Sequence, residues 1–322
     1  MRSLTALVVL ATMFAFAGVV AAPATTRSAP VAAFKAAHAT KAPLLGIARA
    51  GTRLVAVGDY GIVILSDDHG ATWRQAASTA TRHTLTAVTF TDERHGWAVG
   101  HGGTVLASND GGETWTPAYA APGDAALLSV WFDNAGHGLV VGAFGYAIAT
   151  ADAGRTWKQV KVGEGDDRDR HLNAVFALRS GTVLIAAEAG TVFRSTDAGN
   201  SWTTLRSPYN GSLWGGLGLR DGTALMYGMR GHALYSSDDG RTWTEAPTGS
   251  SESFSGGTEL ARGTVILVGL GGAVARSENG GHTFESSLRS DRQTYAAVAE
   301  SGAGQLVMVG LNGVAAQESV VR

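Results

Sequence analysis

The apolar positions of this chain fall into short runs, four to seven residues long, rich in β-branched and aromatic side chains and bounded by Gly, Asp, Asn or His. The stretch 84–116 shows the pattern best. Thr84–Phe90, Gly96–Val99, Thr104–Ser108 and Thr114–Thr116 around Trp115 form four such runs with turn residues between them. Runs of this kind predict strands. No stretch of comparable length carries apolar residues at helical spacing, so the fold class is all-β.

The four-strand pattern recurs. An eight-residue box closes the third run and opens the fourth: Ser66–Trp73, Ser108–Trp115, Thr150–Trp157, Ser195–Trp202, Ser236–Trp243 and Ser277–Phe284. The terminal aromatics are separated by 42, 42, 45, 41 and 41 residues, an interval that only an array of like units explains. A glycine turn precedes each box, as in Val57-Gly58-Asp59-Tyr60-Gly61 and Val141-Gly142-Ala143-Phe144-Gly145. The fourth copy deviates, reading Ala187-Glu188-Ala189-Gly190, and a seventh, Val309-Gly310-Leu311-Asn312-Gly313, has no box after it. Seven turns against six boxes predict seven units.

The first strands of the later units, Leu127–Phe132, Leu172–Ala177, Leu213–Leu219, Ser253–Leu260 and Thr294–Ala299, include Gly215-Gly216 and Gly256-Gly257. Glycine is unfavourable in a strand unless another backbone comes close, as it does near the axis of a radial array. A seven-bladed β-propeller of four-stranded antiparallel blades is therefore expected. Its last unit lacks a fourth strand. Val31–Lys35, upstream of the first unit, is expected to pair beside Val314–Gln317 and latch the ring; the alternative is a three-stranded last blade with Val320-Val321 loosely paired.

The amino terminus adds a leader. A basic start at Arg2, an apolar run from Leu4 to Val20 and the small residues Ala21-Ala22-Pro23-Ala24 read as an export signal. Residues 1–24 are thus expected to be a signal peptide, 25–43 a linker with the possible ring-closing strand, and 44–322 the propeller. The expected location is periplasmic or extracellular, free or membrane-associated. With no cysteine, disulfides and lipoprotein attachment are excluded. The net charge is −2, and loss of Arg2 with the leader leaves 24 basic against 27 acidic residues. No concentrated basic field exists to hold nucleic acid.

Within the box, the acidic residue is placed to accept backbone N–H bonds, the glycine two positions on to take a positive φ, and the Thr hydroxyl to tie the turn. The aromatic then packs between adjacent units. Asp68, Asp110, Asp152, Asp197, Asp238 and Asn279, with Trp73, Trp115, Trp157, Trp202, Trp243 and Phe284, are the structural set. The spacing also suggests calcium. Ala151, Ala153 and Ala198 stand where oxygen ligands would be needed and no glutamate closes a twelve-residue loop, so neither a metal nor another cofactor is expected.

The boxes SDDHGATW, SNDGGETW and SSDDGRTW resemble the Asp-box, or bacterial neuraminidase repeat, S-x-D-x-G-x-T-W. Joined to the glycine turns, as in AVGHGGTVLASNDGGETW, they resemble the photosystem II assembly and stability factor family called Ycf48 or Hcf136, over about residues 44–317. That resemblance implies a non-enzymatic scaffold that binds a membrane-associated protein partner, here as an exported bacterial homologue and by itself a monomer. Glycosidases share the box, so a sialidase-like hydrolase and a glycan-binding propeller are the competing readings.

Function in such a ring collects at the end formed by the turns between strands two and three and by the connections between blades. There the sequence offers a binding surface of Tyr60, His101, Phe144, Tyr146, Arg168, Arg170, His171, Glu188, Arg230 and His232. The longest connection is Lys161–His171, KVGEGDDRDRH, and extra length in one loop of a regular ring suits recognition. For hydrolysis Glu188 with Asp59 or Asp169 is the nominated pair, because glycosidases need two carboxylates at a set separation.

Overall fold

The computed structural model describes residues 31–133, 136–302 and 305–315. The first blade consists of strands Leu44–Ala50, Arg53–Gly58, Val63–Ser66 and Arg74–Gln75, hydrogen-bonded in sequence order and antiparallel throughout. The same meander repeats, with innermost strands at Leu85–Phe90, Leu127–Phe132, Leu172–Ala177, Leu213–Gly218, Phe254–Glu259 and Tyr295–Gly302. Each innermost strand packs on the next and the seventh packs on the first. This is the closed seven-bladed propeller.

Strands two and three of a blade are buried on both faces because successive side chains point to opposite sides. In the first blade Leu54, Ala56 and Ile64 face Val307 and Val309 of the seventh, while Val55, Val57, Val63 and Leu65 face Leu85, Leu106 and Trp115 of the second. The core is thus divided among seven inter-blade layers. Every box aromatic joins the layer toward the preceding blade, and the layer between blades six and seven has none, since the seventh blade carries no box. Innermost strands are thin for two reasons. A Cβ on Gly218 would stand 2.2 Å from the Ala177 carbonyl oxygen of the neighbouring inner strand, as axial crowding predicts. At Gly216, however, the space is filled by the Phe176 ring, 2.0 Å from where a Cβ would be.

The box behaves as a closed local circuit. Ser108 donates to Asp110 Oδ1 (2.8 Å) and accepts from the Gly112 N–H (2.9 Å). Asp110 accepts the Thr114 N–H at 2.9 Å and its hydroxyl at 2.6 Å, and the Trp115 indole N–H donates to the Gly112 carbonyl. Gly112 has φ +84°, and Gly70, Gly154, Gly199, Gly240 and Gly281 are likewise left-handed. The sixth box keeps the shape with an amide, the Asn279 Nδ2 donating to Thr283.

These circuits bear on acid stability. The hydroxyls of Thr72, Thr156 and Ser201, then the backbone N–H groups beside them, hold Asp68, Asp152 and Asp197 at a pKa of about 2. At Asp238 partial burial opposes the same bonds and loses, leaving about 2. A carboxyl depressed on folding contributes stability above its unfolded pKa of about 4, and that contribution fades as pH falls toward 2. Melting temperature is therefore expected to hold above about pH 5 and to fall between about pH 4 and 2, less steeply in Asp152→Asn. A melting temperature flat across that window, or an equal slope in the variant, contradicts this account.

The expected latch is not where the sequence reading put it. Val31–Lys35 forms no strand beside the seventh blade. It runs along the outer rim of blades one and two: Ala33 N–H donates to Thr79, Gln75 donates to the Phe34 carbonyl, and the Arg82 guanidinium covers the Phe34 ring at 3.5 Å. The rim offers this strap a ready edge because Ser78–Thr79 already pairs in parallel with Thr114–Trp115. Near the seventh blade the chain presents instead the turn Ala39–Lys41, whose Thr40 carbonyl lies against Gly313. That blade has three strands among the described residues, Tyr295–Gly302, Gln305–Gly310 and Gly313–Val314. Gln317 and Val320-Val321 lie outside the described residues, as do residues 1–24.

Candidate functional site

The turns between strands two and three and the inter-blade connections emerge at one axial end, opposite the boxes. Both glycines of the G-x-x-G turn are sterically required. A Cβ on Gly142 would come 2.3 Å from the Ala126 carbonyl oxygen, and one on Gly145, at φ +68°, would come 1.8 Å from that of Arg168. The residue between them is lifted to the apex in left-handed backbone: Tyr60 (φ 57°), Phe144 (54°), Ala189 (52°) and Arg230 (57°), with Gly102 and Gly271 in blades two and six. This geometry follows from turn closure, and it points the apical side chain away from the core. Tyr60 is 67% and Phe144 76% exposed.

Of the residues nominated from the sequence, Tyr60, His101, Phe144, Arg168 and Arg230 lie exposed on this end. Others are committed within the fold. Tyr146 is half-buried between blades two and three, its hydroxyl 3.3 Å from that of Tyr119, and burial followed by that contact pushes its phenol well above the usual tyrosine range. Arg170 pairs with Asp167 at 3.2 Å, while the exposed Arg168 makes only a surface pair with Asp169 at 3.1 Å. His232 stacks on Tyr209 with centroids 3.8 Å apart and reaches Glu245 at 3.4 Å.

The long connection Lys161–His171 is tied down by a residue the sequence reading passed over. Asp167 accepts from Arg206 at 2.8 Å on both oxygens and from Arg170. Partial burial opposes ionisation of Asp167, but the two guanidiniums prevail and lower its pKa. In sequence Asp167 is one of four acids in a charged run; only the fold brings Arg206 from the outer strand to it. The loop ends at His171, whose ring meets Phe144 edge to face at 4.7 Å and whose N–H donates to Glu188 at 2.9 Å.

The carboxylates named for hydrolysis each hold a local partner. Glu188 serves His171 in blade four. Asp59, three blades away, accepts from Thr84 at 2.9 Å, and Asp169 holds Arg168. Among the described residues no group of three or more His, Asp or Glu is arranged to hold a metal ion, and no helix is long and apolar enough to cross a membrane.

Comparison with known proteins places this architecture. The sequence profile of the family described as photosynthesis system II assembly factor YCF48 matches residues 71–205 and 118–288. A solved structure of YCF48 bound to a D1 peptide is similar with a TM-score of 0.70 at 19% identity, over 88% of this chain and 95% of that one. YCF48 from Cyanidioschyzon merolae follows at 0.66 and 16%, over 85% and 94%. A streptogramin B lyase superposes as well, at 0.72 and 11% over 85% and 93%. At these identities the superpositions speak for the fold alone. No curated protein matches the sequence.

Proposed function

Because the chain belongs to the photosystem II assembly factor YCF48 family, we propose that it is a non-enzymatic scaffold that binds a membrane-associated protein partner after export to the cell envelope. The family match, spanning five of the inter-blade junctions and the whole of the long connection, is the observation that carries this reading. A relative of the same fold is described in complex with a D1 peptide, which supports a polypeptide as the ligand class.

The mouth-face geometry is compatible with binding and gives hydrolysis little to work with. Its carboxylates serve local contacts, while Tyr60, Phe144 and Arg230 stand exposed in the manner of interface anchors. In this reading the protein acts as a monomeric ring and the propeller supplies a rigid platform. Tagged protein cross-linked in intact envelopes is expected to recover one membrane protein, and Arg230→Ala to reduce that recovery by about tenfold, the scale of an interface hot spot. Hydrolysis of an aryl glycoside by the purified protein, lost in Glu188→Gln, would overturn the scaffold reading.

A further inference from the structure

The layer between blades two and three holds a run of aromatic rings in contact. Trp97, on the second strand of blade two, stacks on Phe132 with centroids 3.6 Å apart. Phe132 meets Trp157 edge to face at 5.8 Å, and Trp157 lies 6.2 Å from Tyr119. The run ends at Tyr119 and Tyr146, whose hydroxyls are 3.3 Å apart. Tyr119 stands on the outer strand of blade two, Thr114–Ala120, and Tyr146 directly ahead of the third strand of blade three, Ala147–Thr150. The two phenols thus meet across a blade junction. Among the described residues they are the one pair of tyrosine hydroxyls in hydrogen-bond contact. Tyr209 and Tyr295 donate to Met229 and Asp291, Tyr227 and Tyr235 pack in the layer between blades five and six, and Tyr60 stands 67% exposed.

We propose that Tyr119 and Tyr146 form a site of oxidative cross-linking, at which a one-electron oxidant converts the pair into a dityrosine that staples blade two to blade three. Each phenol gives one electron to an oxidant molecule, which is reduced, and one proton to water. The two phenoxyl radicals then join through ring carbons ortho to the oxygens. Those carbons release their hydrogens as protons while the oxygens take protons back, so both hydroxyls are regained. The net loss from the protein is two electrons and two protons. Free tyrosyl radicals must find each other by diffusion, whereas here the partner ring is already held at contact, the condition under which proximity raises rates most. The neighbouring rings widen the catchment. A tryptophan that has lost an electron can take one from an adjacent tyrosine, whose radical is stabilised by release of its phenolic proton, so oxidation of Trp157 drains to Tyr119. With no cysteine in the chain, a covalent tie between blades cannot be a disulfide.

The test is photo-oxidation of the dilute purified protein with tris(bipyridyl)ruthenium(III), a one-electron oxidant, followed by dityrosine fluorescence, a denaturing gel and mass mapping of the linked peptides. Tyr119→Phe and Tyr146→Phe, which keep the rings and remove one hydroxyl each, are oxidised alongside. The expected product is a monomer in which the peptides carrying Tyr119 and Tyr146 are joined. Dityrosine is expected to fall about tenfold or more in either variant, the modest end of what held contact confers. The linked protein is expected to melt above the untreated protein, because the tie closes a loop and restricts the unfolded chain; neither variant should gain by the same treatment. Exposure alone predicts a different product, a dimer joined through Tyr60. That dimer as the main product, linkage at another tyrosine, undiminished dityrosine in the variants, or oxidation of Tyr60 with no dityrosine overturns the cross-linking site. A linked monomer that melts no higher than the untreated protein overturns the staple.

Discussion

Trp115→Ala is expected to cost about 3–5 kcal/mol, the range for emptying a fully buried large aromatic site. Trp115 is 1% exposed, the most buried of the box aromatics. It stands edge-on to Phe90, with centroids 5.9 Å apart, in the layer formed with Val55, Leu65 and Leu106. Two features close the site over it. The parallel segment Ser78–Thr79 lies along Thr114–Trp115, and the Ala80 N–H bonds the Trp115 carbonyl. Alanine there leaves a cavity that a ladder hydrogen-bonded on both sides cannot collapse into. Trp202, at the equivalent position but half-buried, should cost less when cut to alanine, roughly 1.5–3 kcal/mol. Equilibrium unfolding in urea compares the two. Equal losses would mean that the covering segment adds nothing to the site.

The second large effect is at Asp239, in the fifth box. Its carboxylate accepts from Thr182 at 2.8 Å, from Ser180 and from the Arg194 guanidinium, and its carbonyl accepts the Arg194 Nε–H at 2.7 Å. All three partners belong to blade four. Partial burial works against the charge on Asp239, but the two hydroxyls and Arg194 outweigh it and lower its pKa. The Arg194 side chain is only 12% exposed, so Asp239→Ala strands a largely buried cation. Breaking such a pair from one side costs about 3–5 kcal/mol when fully buried; with Asp239 itself 25% exposed and the carbonyl bond retained, about 2–4 kcal/mol is expected. Arg194→Leu in the same background should recover part of the loss. Additivity of the two substitutions within about 0.5 kcal/mol would show that they do not act as a clamp.

These two residues mark where the sequence was informative and where it was not. Trp115 was legible because the box is a local circuit: Ser, Asp, Gly, Thr and Trp satisfy one another within eight residues, so their spacing survives in every copy. Asp239 occupies the variable fourth position of the same box, which is left-handed in all six copies. In the first blade that position is His69, whose ring nitrogen lies 2.6 Å from the Ser301 carbonyl of blade seven. No pattern announces these clamps, because each depends on what the neighbouring blade presents. The site residues divide in the same way. Tyr60, Phe144 and Arg230 were readable as apices of a repeated turn. The commitment of Tyr146 to Tyr119, and of Arg170 to Asp167, depended on packing across a blade junction.

The misplaced strap shows the same limit. Val31–Lys35 has the composition of a weak strand and the seventh blade wants one, yet the segment follows the rim of blades one and two, where Gln75, Thr79 and Arg82 meet its backbone. By itself the sequence determined the number of blades, the strand order within each and the architecture of the box turns, since all three rest on contacts between residues near in the chain and repeated at a fixed interval. Only the tertiary structure decided the path of the strap and the inter-blade clamps, because those arise from groups some 40 or more residues apart whose meeting is set by ring closure and not by any local period.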